Sequence, residues 1–355
     1  MRRLFMQDFE SPRTLGQLGL LVVLIVVALV ASDWLLGRVL PLITIEPPFI
    51  LRLQNVPGVE KMWAFAEEGI QPIVFTGSSQ LYTGISPALF NDRIKTLSGS
   101  ALSSLSITIG GGVVTIQHDI IQNFIIPRHP QLIIYAIEMQ ALTPILQNGY
   151  PVEDFRNKPF GYAVSRTSTL ERDVLLWLLE HSNWMRYRDN IREWMTGIRT
   201  INQFDYAPIL TDDLGFFRLP QTEMIVNPNP IKNGYATYYD TPETRQLLAE
   251  IESACRQNNI PCLLLNMPLH ASAYDIIPPE TELEYQRVLH QTGLPVWDFN
   301  TPECRVLFGE DMFYNLNHMN ELGAAVLSPM VAEVYTHVFY DMPIEGNATC
   351  AALSP

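Results

Sequence analysis

The chain reads as an α/β protein with an apolar membrane helix at its N-terminus. Three observations predict this. A stretch near the start, from Leu15 to Ser32, has no charged residue and an almost wholly aliphatic core. Beyond it, short β-rich runs alternate with segments of helical spacing, the rhythm of a parallel sheet covered on both faces. At least one of those runs, Gln131 to Ile137 (QLIIYAI), is apolar without alternation, as a strand buried on both faces must be.

The 355 residues suffice for a membrane segment and one large domain. A formal net charge of -14 argues against a nucleic-acid partner, which needs basic surface. The four cysteines, Cys255, Cys262, Cys304 and Cys350, form no CxxC pair and have no histidine at zinc spacing. In an exported domain they permit one or two disulfides, and their spacing does not choose among the pairings. No metal site and no cofactor motif is expected.

Taken in order, residues 1–14 form a cytoplasmic tail and residues 15–36 a transmembrane helix roughly 30 Å long, about one hydrocarbon thickness. Arg2, Arg3 and Arg13 precede the helix and only Arg38 closely follows it, which leaves the N-terminus in the cytoplasm and the bulk of the chain outside. An uncleaved anchor is preferred to a signal peptide, because the apolar core is long and Leu29 is too large for the minus-three position of a cut after Ala31. Residues 37–58, rich in proline, read as a linker. Val59 to Gly69 has helical spacing.

The main domain, residues 59–340, opens on Ile73-Val74-Phe75 followed by Thr76-Gly77-Ser78-Ser79. A sharp strand-to-helix turn lifts a hydroxyl clear of the backbone and aims helix N-terminal amides at developing negative charge. Gly77 is expected to relax the turn sterically, and the next helix is expected from about Ser86. An ordinary capped βα loop has the same appearance, and Ser78 is expected to pack or cap. Further strands are expected at Ser103 to Ile109, Gln131 to Ile137, Pro261 to Asn266 and Leu294 to Phe299. Helices are expected at Pro87 to Leu97, Val113 to Phe124, Pro242 to Gln257 with Thr241 as cap, and Pro279 to Thr292. Ser79, the run Gly110-Gly111-Gly112 and the stretch Glu138-Met139-Gln140 then share the carboxyl edge of the sheet, where function in such sheets resides. Residues 142–239 break the rhythm and read as an insertion over that edge, with helical stretches at Thr169 to His181 and Trp184 to Ile198. Its tryptophans Trp177, Trp184 and Trp194 read as core anchors more readily than as a carbohydrate platform. His270 reads as a solvated loop residue, and residues 341–355 as a C-terminal tail.

His318 lies just before a helix starting near Asn320. A serine and a histidine are the minimum for nucleophilic acyl transfer: the imidazole takes the hydroxyl proton on attack and returns it to the leaving group. Gly77-Ser78-Ser79, Gly110 to Gly112 and Asn315-x-x-His318, in that order, resemble the SGNH/GDSL hydrolase superfamily. More narrowly, GSSQLYTGISP and FYNLNHMNELGA resemble its membrane-anchored acyltransfer branch, which includes the lipoteichoic-acid D-alanylation protein and exopolysaccharide O-acetylation proteins. The resemblance implies a flavodoxin-like parallel sheet, Ser79 as nucleophile and His318 as base. It implies the amides of Ser79 and of Gly111 or Gly112 as oxyanion donors. It also implies acyl transfer to a cell-envelope glycan or polymer, with a membrane-bound O-acyltransferase as partner. Two departures stand out. The third block lacks the family's asparagine: Gln140 can donate an amide there, whereas Glu138 can donate only if protonated. Asn315 replaces the aspartate that would orient the histidine and stabilise its imidazolium. A Ser79–His318 dyad without a charged third member, substitution by Asp311, and a weak or inactive relative all remain open. A simple esterase would use the same residues.

Overall fold

A computed structural model of the chain describes residues 12–43, 56–109, 113–142, 182–184, 212, 214–221, 224, 241–344 and 346–354. The chain divides into two compact units. One comprises Met1–Arg52 and Ser168–Tyr206, the other Leu53–Thr167 and Ala207–Pro355. The expected insertion is thus shared between them.

The first unit contains α1 (Pro12–Ile43), a 32-residue helix. From Gln17 to Arg38 it has a mean hydropathy of 2.6 with none of its window buried, long and apolar enough to cross a bilayer. Of the two helices expected in the insertion, only Trp184 is described; the rest lie outside the described residues.

The second unit is built on one six-stranded sheet in the order β2-β1-β3-β4-β5-β6. The strands are β1 (Ile73–Gly77), β2 (Ser104–Thr108), β3 (Leu132–Ile137), β4 (Cys262–Asn266) and β5 (Val296–Asp298). These five pair in parallel in the flavodoxin order, with Gly77 opposite both Thr108 and Ala136. The residues expected to form a C-terminal tail instead add β6 (Ala352–Ser354), antiparallel to β5. A Cys304–Cys350 disulfide ties that end down, and Cys255–Cys262 closes the second pair.

Helices cover both faces. α2 (Val56–Glu67), α5 (Val114–Ile120), α6 (Pro242–Gln257) and α7 (Pro279–Gln291) bury Met62, Ile116, Ile251 and Tyr285 against Val74, Ile133 and Leu264. A single π-helical turn, Ile121–Ile125, continues α5. On the other face, α3 (Ser79–Gly84), α4 (Pro87–Ser98) and α9 (Glu321–Tyr340) pack Leu81, Phe90 and Val331 against Phe75, Ile134 and Leu265. Between β5 and α9 lies the short α8 (Pro302–Arg305). Odd and even residues of β1 therefore serve different cores, as the period-two geometry of a strand requires. α9 is long and apolar enough to be a span as well, but 56% of its window is buried in this unit. It is tied to α4 through Ser328, whose Oγ accepts from the Ser86 N–H at 2.9 Å and donates to the Ala324 carbonyl at 2.6 Å.

The described end of the insertion lies across this unit as a strap. The Ser106 N–H of edge strand β2 donates to Leu214 at 2.8 Å, Phe217 donates to the Tyr82 carbonyl at 2.9 Å, and Glu321 donates to Leu219 at 3.0 Å. The Phe217 ring stacks on Tyr82 at 4.7 Å. The strap thereby links the outer strand, the helix begun by Ser79 and the start of α9.

Candidate active site

Strand β1 is fully buried and ends at Gly77. A Cβ there would lie 2.8 Å from the Ala136 carbonyl oxygen and 3.1 Å from the Ala136 Cβ. Gly77 is not among the positive-φ glycines, so close approach of β3 requires it, and the expected relaxation of a strained turn does not. A short helix that was not expected, α3, begins at once, and the helix expected from about Ser86 follows it as α4 with Ser86 as its cap. Ser78 has extended backbone (φ -90°, ψ -166°), and its Oγ accepts from the Gln80 N–H at 3.2 Å, making it the N-cap of α3. Ser79 is the first helical residue, half-buried, with its N–H at a position that has no acceptor inside the helix.

The strand end is fixed from the opposite face. Thr76 Oγ1 donates to Gln117 Oε1 at 2.9 Å, and Gln117 Nε2 donates to the Gly77 carbonyl at 2.7 Å. Gln117 is fully buried on α5. Sequence reasoning missed it, although a glutamine inside the apolar run VVTIQHDII was the available signal.

His318 comes from the loop between β5 and α9. Phe313 and Met319 form an antiparallel bridge that closes this loop, and Tyr314 donates to the His318 carbonyl at 2.8 Å. Asn320 is fully buried. Its Oδ1 caps α9 by accepting from Leu322 and Gly323 at 2.9 and 3.2 Å, and its Nδ2 donates to the Asp311 carbonyl at 2.7 Å. Asn315 Oδ1 accepts from the backbone N–H groups of His318 at 2.8 Å and Asn317 at 3.1 Å. The same oxygen lies 2.9 Å from His318 Nδ1.

Those two backbone donors decide which way the Asn315 amide faces, and hence the histidine tautomer. An atom receiving two N–H groups is the carbonyl oxygen, so His318 Nδ1 carries the proton and donates to it. Nε2 is then left bare, and it lies 2.8 Å from Ser79 Oγ, whose hydroxyl donates to it. This is the tautomer that a general base needs. Asparagine could in principle present its NH2 to the ring and reverse the tautomer, but the two loop N–H groups fix its oxygen there. Asn315 supplies orientation without charge. The imidazole is 8% exposed, and burial holds its pKa down to about 4. The ring is therefore neutral and unprotonated at Nε2 across the physiological range.

Asp311 does not take the third position. It is exposed, its carboxylate lies beside Gly309, and His318 Nδ1 is occupied by Asn315. Gln140 is brought to the same loop: its Oε1 accepts from Asn317 Nδ2 at 3.2 Å. Gly111 and Gly112 lie outside the described residues. At the carboxyl end of β3, burial pushes the Glu138 carboxyl up to about 8. At neutral pH this side chain keeps its proton, which meets the condition under which it can donate a hydrogen bond. His270 is buried rather than solvated. Its N–H donates to the Leu316 carbonyl at 3.0 Å, Nδ1 accepts from Ser272 at 3.2 Å, and its ring meets the edge of Phe313 at 5.3 Å. It braces the histidine loop. Among the described residues no three His, Cys, Asp or Glu side chains gather as a metal site.

Chemically, the arrangement offers a hydroxyl at a helix N-terminus with its proton directed at a neutral, oriented imidazole. No known family pattern and no curated protein matches the chain. Among solved structures it is similar to the lipase/acylhydrolase from Enterococcus faecalis, with 11% sequence identity and a TM-score of 0.37, over 78% of this chain and 100% of that one.

Proposed function

We propose that the protein is a serine-dependent acyl-transfer enzyme whose main domain faces the outside of the cell membrane. The observation that supports it most is the contact between Ser79 Oγ and His318 Nε2 at 2.8 Å, with His318 Nδ1 held by Asn315 Oδ1 at 2.9 Å. Ser79 Oγ attacks an acyl carbonyl while its proton passes to His318 Nε2. The tetrahedral oxyanion is received by the Ser79 N–H and, by the family resemblance, by Gly111 or Gly112, with Gln140 as a further amide donor. Collapse gives an acyl-serine, and the imidazolium returns its proton to the departing oxygen. A second hydroxyl then attacks the acyl-serine and gives its proton to His318 Nε2, the acyl–Oγ bond breaks, and Ser79 Oγ takes that proton back. With a glycan or polymer hydroxyl as acceptor the reaction is O-acyl transfer; with water it is ester hydrolysis.

Two disulfides fit an oxidising compartment, and α1 with its cytoplasmic-side arginines fits an anchor that leaves the domain outside. On this reading the acceptor is a cell-envelope glycan or polymer, and the donor arrives through a membrane-bound O-acyltransferase. A second reading is favoured by one specific feature. The imidazolium that forms during attack would sit in a buried site facing a neutral amide, which supports a slow enzyme, or a binding module of an envelope complex that retains the fold. Labelling with a serine-directed fluorophosphonate separates the two. The enzyme reading predicts an adduct on Ser79 that disappears in Ser79→Ala and is strongly reduced in His318→Ala. Absence of any Ser79-dependent adduct between pH 6 and 9 overturns it.

A further inference from the structure

The first unit contains a contact that acyl transfer does not use. The charge-free run of α1 from Thr14 to Ser32 rises roughly 28 Å, about one hydrocarbon thickness, so Ser32 and Asp33 fall at its outer boundary. Asp33 is the first charge beyond that run. Its Oδ1 accepts from Ser182 Oγ at 2.7 Å and from the Trp184 N–H at 2.8 Å, and its Oδ2 accepts from the Asn183 N–H at 3.0 Å. Asn183 Nδ2 donates to the Asp33 backbone carbonyl at 3.1 Å. A Cβ on Gly37 would lie 2.5 Å from that same Nδ2, so the Asn183 side chain rests directly against the glycine one turn on.

The clamp presents two aromatic rings outward. Trp184 donates its indole N–H to Ser32 Oγ at 3.0 Å while the residue stays 42% exposed, and Trp34 is 62% exposed. The Arg38 guanidinium stands 5.4 Å over the Trp34 ring. An apolar ring with a satisfied polar edge, level with the end of an apolar span and followed by a cation, is the chemistry of the headgroup–acyl boundary of a bilayer. The exposed rings continue the fully lipid-compatible surface of Leu18 to Val30, and that continuity identifies the occupant as lipid.

We propose that residues 182–184, clamped to Asp33, stand on the outer surface of the bilayer as an interfacial foot beside α1, with Trp34 and Trp184 embedded in the headgroup region. The proposal rests on α1 being an uncleaved anchor and is independent of the chemistry at Ser79. The test uses the full chain, labelled with fluorotryptophan, in phosphatidylcholine–phosphatidylglycerol nanodiscs. Fluorine NMR resonances are assigned with Trp34→Phe and Trp184→Phe, and broadening is measured with a headgroup nitroxide lipid, a lipid labelled at the chain end, and an aqueous nickel chelate. Trp34 and Trp184 should both be broadened at least about threefold more by the headgroup label than by either other agent, as interfacial rings require. In Asp33→Ala, Trp184 should shift to the aqueous pattern while Trp34 stays unchanged. Broadening of Trp34 by lipid with Trp184 responding only to nickel overturns the foot, and an unaltered Trp184 in Asp33→Ala overturns the clamp. If Trp34 also responds only to nickel, the anchor reading fails and the foot with it. Fluorophosphonate labelling of Ser79 would be untouched by any of these results.

Discussion

Ser79 and His318 meet at 2.8 Å, yet the segments that bring them together are made of different material. The serine stands at the end of a central strand with buried partners on both sides, and its position follows from hydrophobic register, a glycine-enforced strand approach and a helix cap. The histidine stands on an irregular loop whose shape depends on two asparagine side chains, Asn315 and Asn320, each accepting from two backbone N–H groups. A segment held by apolar packing has many redundant contacts, whereas one held by a few directed hydrogen bonds loses its geometry when one is removed. Single polar substitutions should therefore damage the histidine side of the site more than the serine side.

The largest effect is expected from giving the loop the charge it lacks. Asn315→Asp keeps an acceptor at His318 Nδ1 and adds a negative charge that stabilises the imidazolium. The reverse exchange in a serine-protease triad costs roughly four orders of magnitude. Stopped-flow measurement of Ser79 labelling should show a gain of about tenfold or more, up to that order. No gain would mean that the third position does not limit the reaction. Asn315→Ala sharpens the same point from the other direction. It removes the Asn315 acceptor from His318 Nδ1 and from two loop N–H groups, so labelling should fall by about a hundredfold with a stability loss of about 1–3 kcal/mol.

On the serine side, Gln117→Leu removes the partners of Thr76 Oγ1 and the Gly77 carbonyl. Denaturant unfolding should show a loss of about 1–3 kcal/mol, but labelling should fall by less than in Asn315→Ala, because the sheet still holds β1. Equal losses in the two variants would contradict the distinction drawn between the segments.

How much of this was legible from the residues follows the same division. Strand runs such as Gln131 to Ile137 and the Thr241-Pro242 helix start are local patterns, and they became β3 and the cap of α6. β6 was not legible, because Ala352–Ser354 has no strand pattern of its own. It is set by pairing with β5 and the disulfide to Cys304, both of which are long-range. Ser79, Asn315 and His318 stood in recognisable blocks, and the structure brings all three together. The tautomer was not legible, since it depends on backbone N–H groups that meet Asn315 Oδ1 only when the loop is folded. Gln117 and His270 were hidden for a related reason: a buried polar residue has no periodicity of its own, and its partners lie on other elements.

The smallest expected effects concern pH and stability, and two groups shifted by desolvation pull in opposite directions. The His318 pKa is lowered to about 4, so between there and the ordinary value near 6.5 the unfolded chain binds the extra proton, and stability falls as pH drops through that window. The Glu138 pKa is raised to about 8, so the folded state holds the proton that the unfolded state gives up above its ordinary value near 4.5. Stability from this group is present at low pH and is lost as pH rises toward and past 8. Thermal unfolding of Glu138→Gln should therefore gain on the parent at pH 8 and show little difference at pH 4.5. The same difference at both values would mean that the carboxyl is not held protonated by burial.

On the proposed mechanism, a buried, neutral His318 oriented by Asn315 activates Ser79. The pH dependence of the Ser79 labelling rate tests it most directly. The rate should be level from about pH 6 to 9 and fall only as the pH approaches about 4, where His318 takes a proton. In Asn315→Asp the fall should move to higher pH, because the added carboxylate favours the protonated ring. A parent protein whose labelling falls with a midpoint near the ordinary histidine value of about 6.5, or whose Ser79 never reacts, would contradict it.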